Sequence, residues 1–182
     1  MSDIYVFLAD GFEEVEAMTP VDVLRRAGFD VKIVSVTGAP LMTGSHGIAV
    51  KCDIFIDDVD LDSAQMIILP GGLPGATNLL ANERVKKIIR EFNEKGKWLG
   101  AICAAPMVLG ELGILDGLKA TCYPGFEKHL KGAEVCDNNS VTSKNIVTGR
   151  GIGAAMDFSL EIVRNLMDEA SAKELAKKMV AD

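Results

Sequence analysis

Cys103 stands between an apolar run, Trp98 to Ile102, and Ala104-Ala105-Pro106, which opens a helical pattern. The residues two before and two after it, Ala101 and Ala105, are small. That is the demand of a nucleophile elbow, a sharp strand-to-helix turn where a bulky neighbour would clash. A cysteine at such a turn lies near a helix N-terminus, whose partial positive charge favours the thiolate, the reactive form. The chemistry would be nucleophilic attack by sulfur. Cys52, Cys122 and Cys136 lack this context and read as structural, behaving as small hydrophobes.

A catalytic thiolate needs a group that manages protons. Glu13, Glu14 and Glu16 follow the first apolar run, and Glu13 and Glu16 share a helical face. Any of them also reads as an acid placed by the helix dipole. A carboxyl held against a thiol in a dry pocket has a raised pKa and can donate a proton. Gly71-Gly72 offers backbone N–H groups that could hold an oxyanion, or forms a plain tight turn. Gly149-x-Gly151-x-Gly153 opens the last helices rather than a first βαβ unit, so it is not a dinucleotide fingerprint. Arg150 within it would anchor an anion or a salt bridge near the site. His46 and His129 could pair with a cysteine in space or sit as surface residues. No metal-ligand cluster stands out, and no cofactor is expected.

The elements that must position these groups alternate. Ile4 to Ala9 reads as a buried strand, Glu13 to Ala27 as a helix stopped by Gly28, and Phe29 to Val36 as a second strand. Pro20 should kink that helix or start its second part. Thr37 to Gly47 reads as a loop, and Ile48 to Ile56 as one or two short strands. Met66 to Leu69 reads as a core strand, Thr77 to Lys95 as one helix, and Leu118 to Tyr123 as a strand. Ala133 to Cys136 and Asn145 to Thr148 are strands joined by a polar stretch, Asp137 to Lys144. Helices over Ala154 to Met167 and Ser171 to Val180 close the chain. The βαβ opening predicts an α/β sandwich with a mostly parallel sheet. Ligands of such sheets sit beyond the carboxyl ends of the strands. Asp10-Gly11, Pro70-Gly71-Gly72, Cys103 and Gly149-Arg150-Gly151 should therefore converge.

The chain's 182 residues fit one domain over residues 1–182. Its net charge of −7 excludes a sequence-independent nucleic-acid binder and an anionic membrane surface as partner. Met1-Ser2-Asp3 leads directly into apolar sequence, so no signal peptide is expected. Four widely spaced cysteines without C-x-x-C predict reduced thiols and a cytoplasmic setting.

Five segments resemble the DJ-one/ThiJ/PfpI superfamily. They are Ala9-Asp10-Gly11-Phe12-Glu13-Glu14-Val15-Glu16, Pro20 to Gly28, Leu69-Pro70-Gly71-Gly72, Ala101-Ile102-Cys103-Ala104-Ala105-Pro106, and Thr148-Gly149-Arg150-Gly151. The order spans essentially the whole chain and is most similar to the DJ-one/ThiJ branch. The resemblance implies a flavodoxin-like three-layer α/β sandwich with a nucleophile-elbow cysteine. It implies that Cys103 is the oxidisable nucleophile and Glu16 the protonated glutamate bonded to it. It implies that Gly72 and Ala104 supply N–H groups to an oxyanion or an oxidised sulfur, and that the protein is a homodimer. The implied activities are glyoxalase or deglycase chemistry on small carbonyl substrates or glycated adducts, chaperone action, and redox sensing. Tyr123 stands where the family's site histidine lies, leaving Tyr123, His129 or water for that role. His46 replaces a loop arginine, and Ile152 replaces the proline after Arg150-Gly151. The peptidase branch carries a histidine directly after its cysteine, where this chain has Ala104, so peptidase activity is disfavoured.

Overall fold

The computed structural model describes residues 3–181, and the leader expectation at Met1 and Ser2 lies outside them. The chain opens with β1 (Asp3–Leu8), α1 (Glu14–Arg26) and β2 (Asp30–Ser35). Then come β3 (Leu41–Thr43), β4 (Ala49–Lys51), β5 (Ile54–Phe55), β6 (Ala64–Leu69), α2 (Gly75–Ala81) and α3 (Glu83–Glu94). The elbow lies between β7 (Trp98–Ile102) and α4 (Pro106–Glu111). The chain ends with β8 (Lys119–Ala120), β9 (Glu134–Val135), β10 (Ser140–Ser143), β11 (Ile146–Gly149), α5 (Ala155–Leu166) and α6 (Glu169–Met179).

Seven strands form the central sheet in the order β10-β11-β7-β6-β1-β2-β5. All its ladders are parallel except β10–β11. The strands read as apolar runs because both faces are covered. Ile4, Val6 and Leu8 pack toward α1 and α5, with Leu24 and Phe158, while Tyr5, Phe7 and Ala9 pack toward α3 and α4, with Phe92 and Leu109. This alternation makes the three-layer sandwich of the flavodoxin type.

Several local expectations change. Pro20 lies within α1, which continues through it. The expected helix over Thr77 to Lys95 is two helices, because Asn82 caps α3: its side-chain oxygen accepts from the N–H of Arg84 at 3.0 Å and Val85 at 3.1 Å. The glycine-rich loop after β2 contains β3, which forms an antiparallel hairpin with β4 outside the main sheet. The polar stretch Asp137 to Lys144 contains β10, the antiparallel edge strand. The expected strands at Leu118 to Tyr123 and Ala133 to Cys136 shrink to two residues each, paired as β8 with β9.

Register decides where the turns fall. Leu69 lies opposite Ala101, and Ile102 opposite Gly149. The chain therefore leaves β6, β7 and β11 side by side, at Pro70, Cys103 and Arg150.

Candidate active site

Cys103 has φ +64°, the left-handed region that side-chain-bearing residues rarely occupy. Such a conformation costs about 1–3 kcal/mol and persists only where the surroundings impose it. Here two backbone bonds do so. The Cys103 N–H donates to the Gly149 carbonyl at 2.9 Å, and the Cys103 carbonyl accepts from the Tyr123 N–H at 2.8 Å. Ala101 and Ala105, both fully buried, are the small flanks that the elbow needs.

The sulfur meets three groups. The Glu16 side chain hydrogen-bonds it, and the backbone N–H groups of Gly72 and Ala104 point at it. Glu16 is 1% exposed, and its Oε2 accepts from the Gly71 N–H at 3.1 Å. Close approach explains the glycine pair. A Cβ on Gly71 would lie 2.6 Å from Glu16 Oε2 and 2.7 Å from the Cys103 Cβ. Gly72, at φ +85°, presses against the Phe12–Glu13 backbone, where a Cβ would come within 2.3 Å of the Glu13 nitrogen.

Burial raises the Glu16 carboxyl to about 7, helped by the charge of Glu13, while the bonds from Cys103 and the Gly71 amide oppose the rise. Burial also pushes the Cys103 thiol up to about 12, with the Glu16 charge and hydrogen bond adding to it and the Ala104 and Gly72 amides opposing it. These directions have one physical meaning: two anions cannot share this dry pocket. A thiolate at Cys103 requires the proton to sit on Glu16, whose O–H then donates to sulfur. The helix dipole contributes less than the sequence suggests, because α4 begins only at Pro106.

The remaining candidates separate into near and far. Tyr123 is tied to Cys103 through its backbone and is 48% exposed. Arg150 is a structural anchor. Its guanidinium binds the Asp137 carbonyl and, at 3.3 Å, the Asp137 carboxylate. His129 pairs with Glu111 at 3.0 Å, and His46 with Glu14 at 2.9 Å and Glu13 at 3.4 Å. Both imidazoles thus bond glutamates rather than Cys103. Glu13, Glu14 and His46 bring three possible ligand atoms within 4.8 Å of one another, a grouping that separation along the chain concealed. Sequence reasoning also missed the Gly149 carbonyl as the hook for the elbow and Gly71 as the donor to Glu16. Both residues lie in turns that it placed at this end of the sheet.

The family model described as DJ-1/PfpI matches residues 2–165. The chain belongs to the DJ-1/PfpI family. Protein dj-1beta of Drosophila melanogaster is 33% identical over 177 residues, covering 96% of this chain and 95% of that protein. Protein DJ-1 homolog B of Arabidopsis thaliana is 36% identical over 97% of this chain, which spans only 41% of that longer protein. YraA of Bacillus subtilis, which carries a provisional cysteine-protease name, is 36% identical over 81% of this chain and 88% of its own length. Among solved structures, Drosophila DJ-1beta superposes with a TM-score of 0.95 at 32% identity, covering all of both chains. A DJ-1 superfamily protein from Salmonella typhimurium, solved as a cysteine-to-alanine mutant, gives 0.94 at 30% identity, again over all of both chains.

Proposed function

We propose that the protein is a cofactor-independent glyoxalase- or deglycase-type enzyme that acts on methylglyoxal-like 2-oxoaldehydes or on adducts they form. The observation that carries this reading is a buried carboxyl and a thiol sharing a hydrogen bond, with two amides aimed at the sulfur. In the proposed reaction the Cys103 sulfur bonds to the aldehyde carbon. The carbonyl electrons move to oxygen, and Glu16 delivers the shared proton there, giving a hemithioacetal. The Gly72 and Ala104 amides stabilise the thiolate before attack and the oxyanion that forms beside it. Glu16, now a carboxylate, takes the proton from the former aldehyde carbon and returns it to the neighbouring carbon, while the hemithioacetal hydroxyl proton passes to the neighbouring oxygen, leaving a 2-hydroxyacyl thioester. Water then cleaves the thioester, releasing the 2-hydroxy acid and restoring the thiol. The net change is addition of one water, with the oxidation and reduction internal to the substrate. Tyr123 or water would serve where the family resemblance leads one to expect histidine.

Lactate production from methylglyoxal by wild type, Cys103→Ala and Glu16→Gln tests this reading. Turnover by the wild type, lost in both variants, supports it; no wild-type turnover, or equal turnover by all three, sinks it.

A second reading is a redox sensor or chaperone without turnover. The same amides would hold sulfinate oxygens, and Cys103 is half-buried whereas Cys52 and Cys122 are buried, so an oxidant reaches Cys103 more readily. Mild peroxide should add two oxygens at Cys103 before any at Cys136, and oxidation spread evenly over the four cysteines would contradict it. A peptidase is disfavoured, since Ala104 follows the cysteine and both imidazoles are engaged by glutamates. A single-domain homodimer in the cytoplasm completes the reading. Among the described residues no helix is long and apolar enough to cross a membrane, and sedimentation analysis checks the dimer.

A further inference from the structure

A groove of about 340 Å³ opens between the segment after β8 and the turn after β11. Its walls are Tyr123 and Pro124 on one side and Ile152 and Ala154 on the other, with Asn139 and Arg150 also in the lining. Both walls are fastened to the nucleophile. The Tyr123 N–H binds the Cys103 carbonyl, and Gly149, one residue before Arg150, accepts the Cys103 N–H. The groove therefore lies between two segments that are each hydrogen-bonded to the elbow backbone.

Its chemistry is apolar. Tyr123 and Ile152 are 48% and 50% exposed, so two large side chains offer uncovered surface to the same space. The one cation in the lining is already committed, since Arg150 binds the Asp137 carbonyl and carboxylate. An anionic substituent would have to displace that pairing, whereas an apolar one would not. Size points the same way. With each water claiming about 30 Å³ of liquid, a five-heavy-atom carbonyl compound such as methylglyoxal leaves roughly half the groove unfilled.

We propose that this groove is a subsite for an alkyl or aryl substituent, making the preferred substrates 2-oxoaldehydes longer and more apolar than methylglyoxal. The choice of 2-oxoaldehydes rests on the carbonyl chemistry above; the subsite does not. Tyr123 and Ile152 are its specificity-determining residues, at positions where the family resemblance leads one to expect histidine and proline.

Two measurements test the proposal. The first is kcat/KM along the series methylglyoxal, ethylglyoxal, propylglyoxal and butylglyoxal, which share one reacting head. Each methylene buried in the groove should raise it by up to about fourfold. The second needs no turnover: the rate at which methyl, propyl and hexyl methanethiosulfonates label Cys103. There the sulfur attacks the reagent, a disulfide forms and methanesulfinate leaves. Labelling should quicken with chain length in the wild type. Ile152→Ser and Tyr123→Ser, both at half-exposed positions that leave the core intact, should flatten both series. Chain-length-dependent labelling without turnover of any 2-oxoaldehyde would overturn the carbonyl reading and leave the subsite standing. Labelling independent of chain length in the wild type, or equally dependent in both variants, would overturn the subsite.

Discussion

Glu14 and Glu16 lie two residues apart on α1 and are both buried, at 6% and 1% exposure, yet their protons behave oppositely. Burial raises Glu16 to about 7. Burial opposes ionisation of Glu14 as well, but hydrogen bonds from the His46 imidazole and from the His46 and Ile48 amides outweigh it and hold Glu14 at about 2. The Glu14 carboxylate receives the His46 N–H at 2.7 Å and the imidazole at 2.9 Å. Glu16 receives one amide and faces a thiol, with the Glu13 charge nearby. Burial alone does not set the role of a carboxyl; the number of donors and the sign of the neighbouring charge do. One glutamate becomes a fixed anion that ties a loop to the helix. The other stays a proton carrier.

Exchanging the donors should break this contrast. The largest effect belongs to Glu16→Gln, which keeps the shape and removes the transferable proton: turnover should fall about hundredfold or more. Glu14→Gln should lower turnover less than tenfold, so comparable losses would show that the two carboxyls are not functionally distinct. Next comes the pH dependence of stability. Glu16 has a folded-state pKa above its unfolded value, so its contribution is fully present below about pH 4.5 and is lost as pH rises through about 7. The change should approach about 3 kcal/mol and vanish in Glu16→Gln, measured by denaturant unfolding across that window. Glu14 has the opposite sign, contributing stability above its unfolded pKa that is lost as pH falls toward about 2. Glu14→Ala, which strips the acceptor from two amides, should cost about 1–3 kcal/mol at neutral pH. The smallest effect belongs to Glu13→Gln. Removing the charge that raises Glu16 should move the Glu16-dependent limb of the pH–activity profile to lower pH. A shift to higher pH would contradict the assignment.

The sequence exposed one half of the site more readily than the other. Cys103 was legible because an elbow is local: an apolar strand, small flanks and a proline-led helix lie within a few residues. Among Glu13, Glu14 and Glu16, residue types alone left the proton carrier open, and the family resemblance chose Glu16. The deciding donors are remote: Gly71 lies 55 positions from Glu16, and His46 lies 32 from Glu14. The same distinction runs through the fold. β1, β6 and β7 declared themselves as apolar runs because both their faces are covered. β3 buries only Met42, and β10 is a half-buried polar edge, so neither carries that signal. The break at Asn82 depends on a side-chain cap inside an otherwise continuous helical pattern.

The central claim is that Glu16 holds a proton near neutrality and lends it to the Cys103 pair. Infrared spectroscopy of the protonated carboxyl stretch against pH tests it directly. A buried carboxylic acid band should persist at about pH 6, titrate near 7 and be missing from Glu16→Gln. A wild-type protein with no protonated carboxyl above about pH 5 would contradict it.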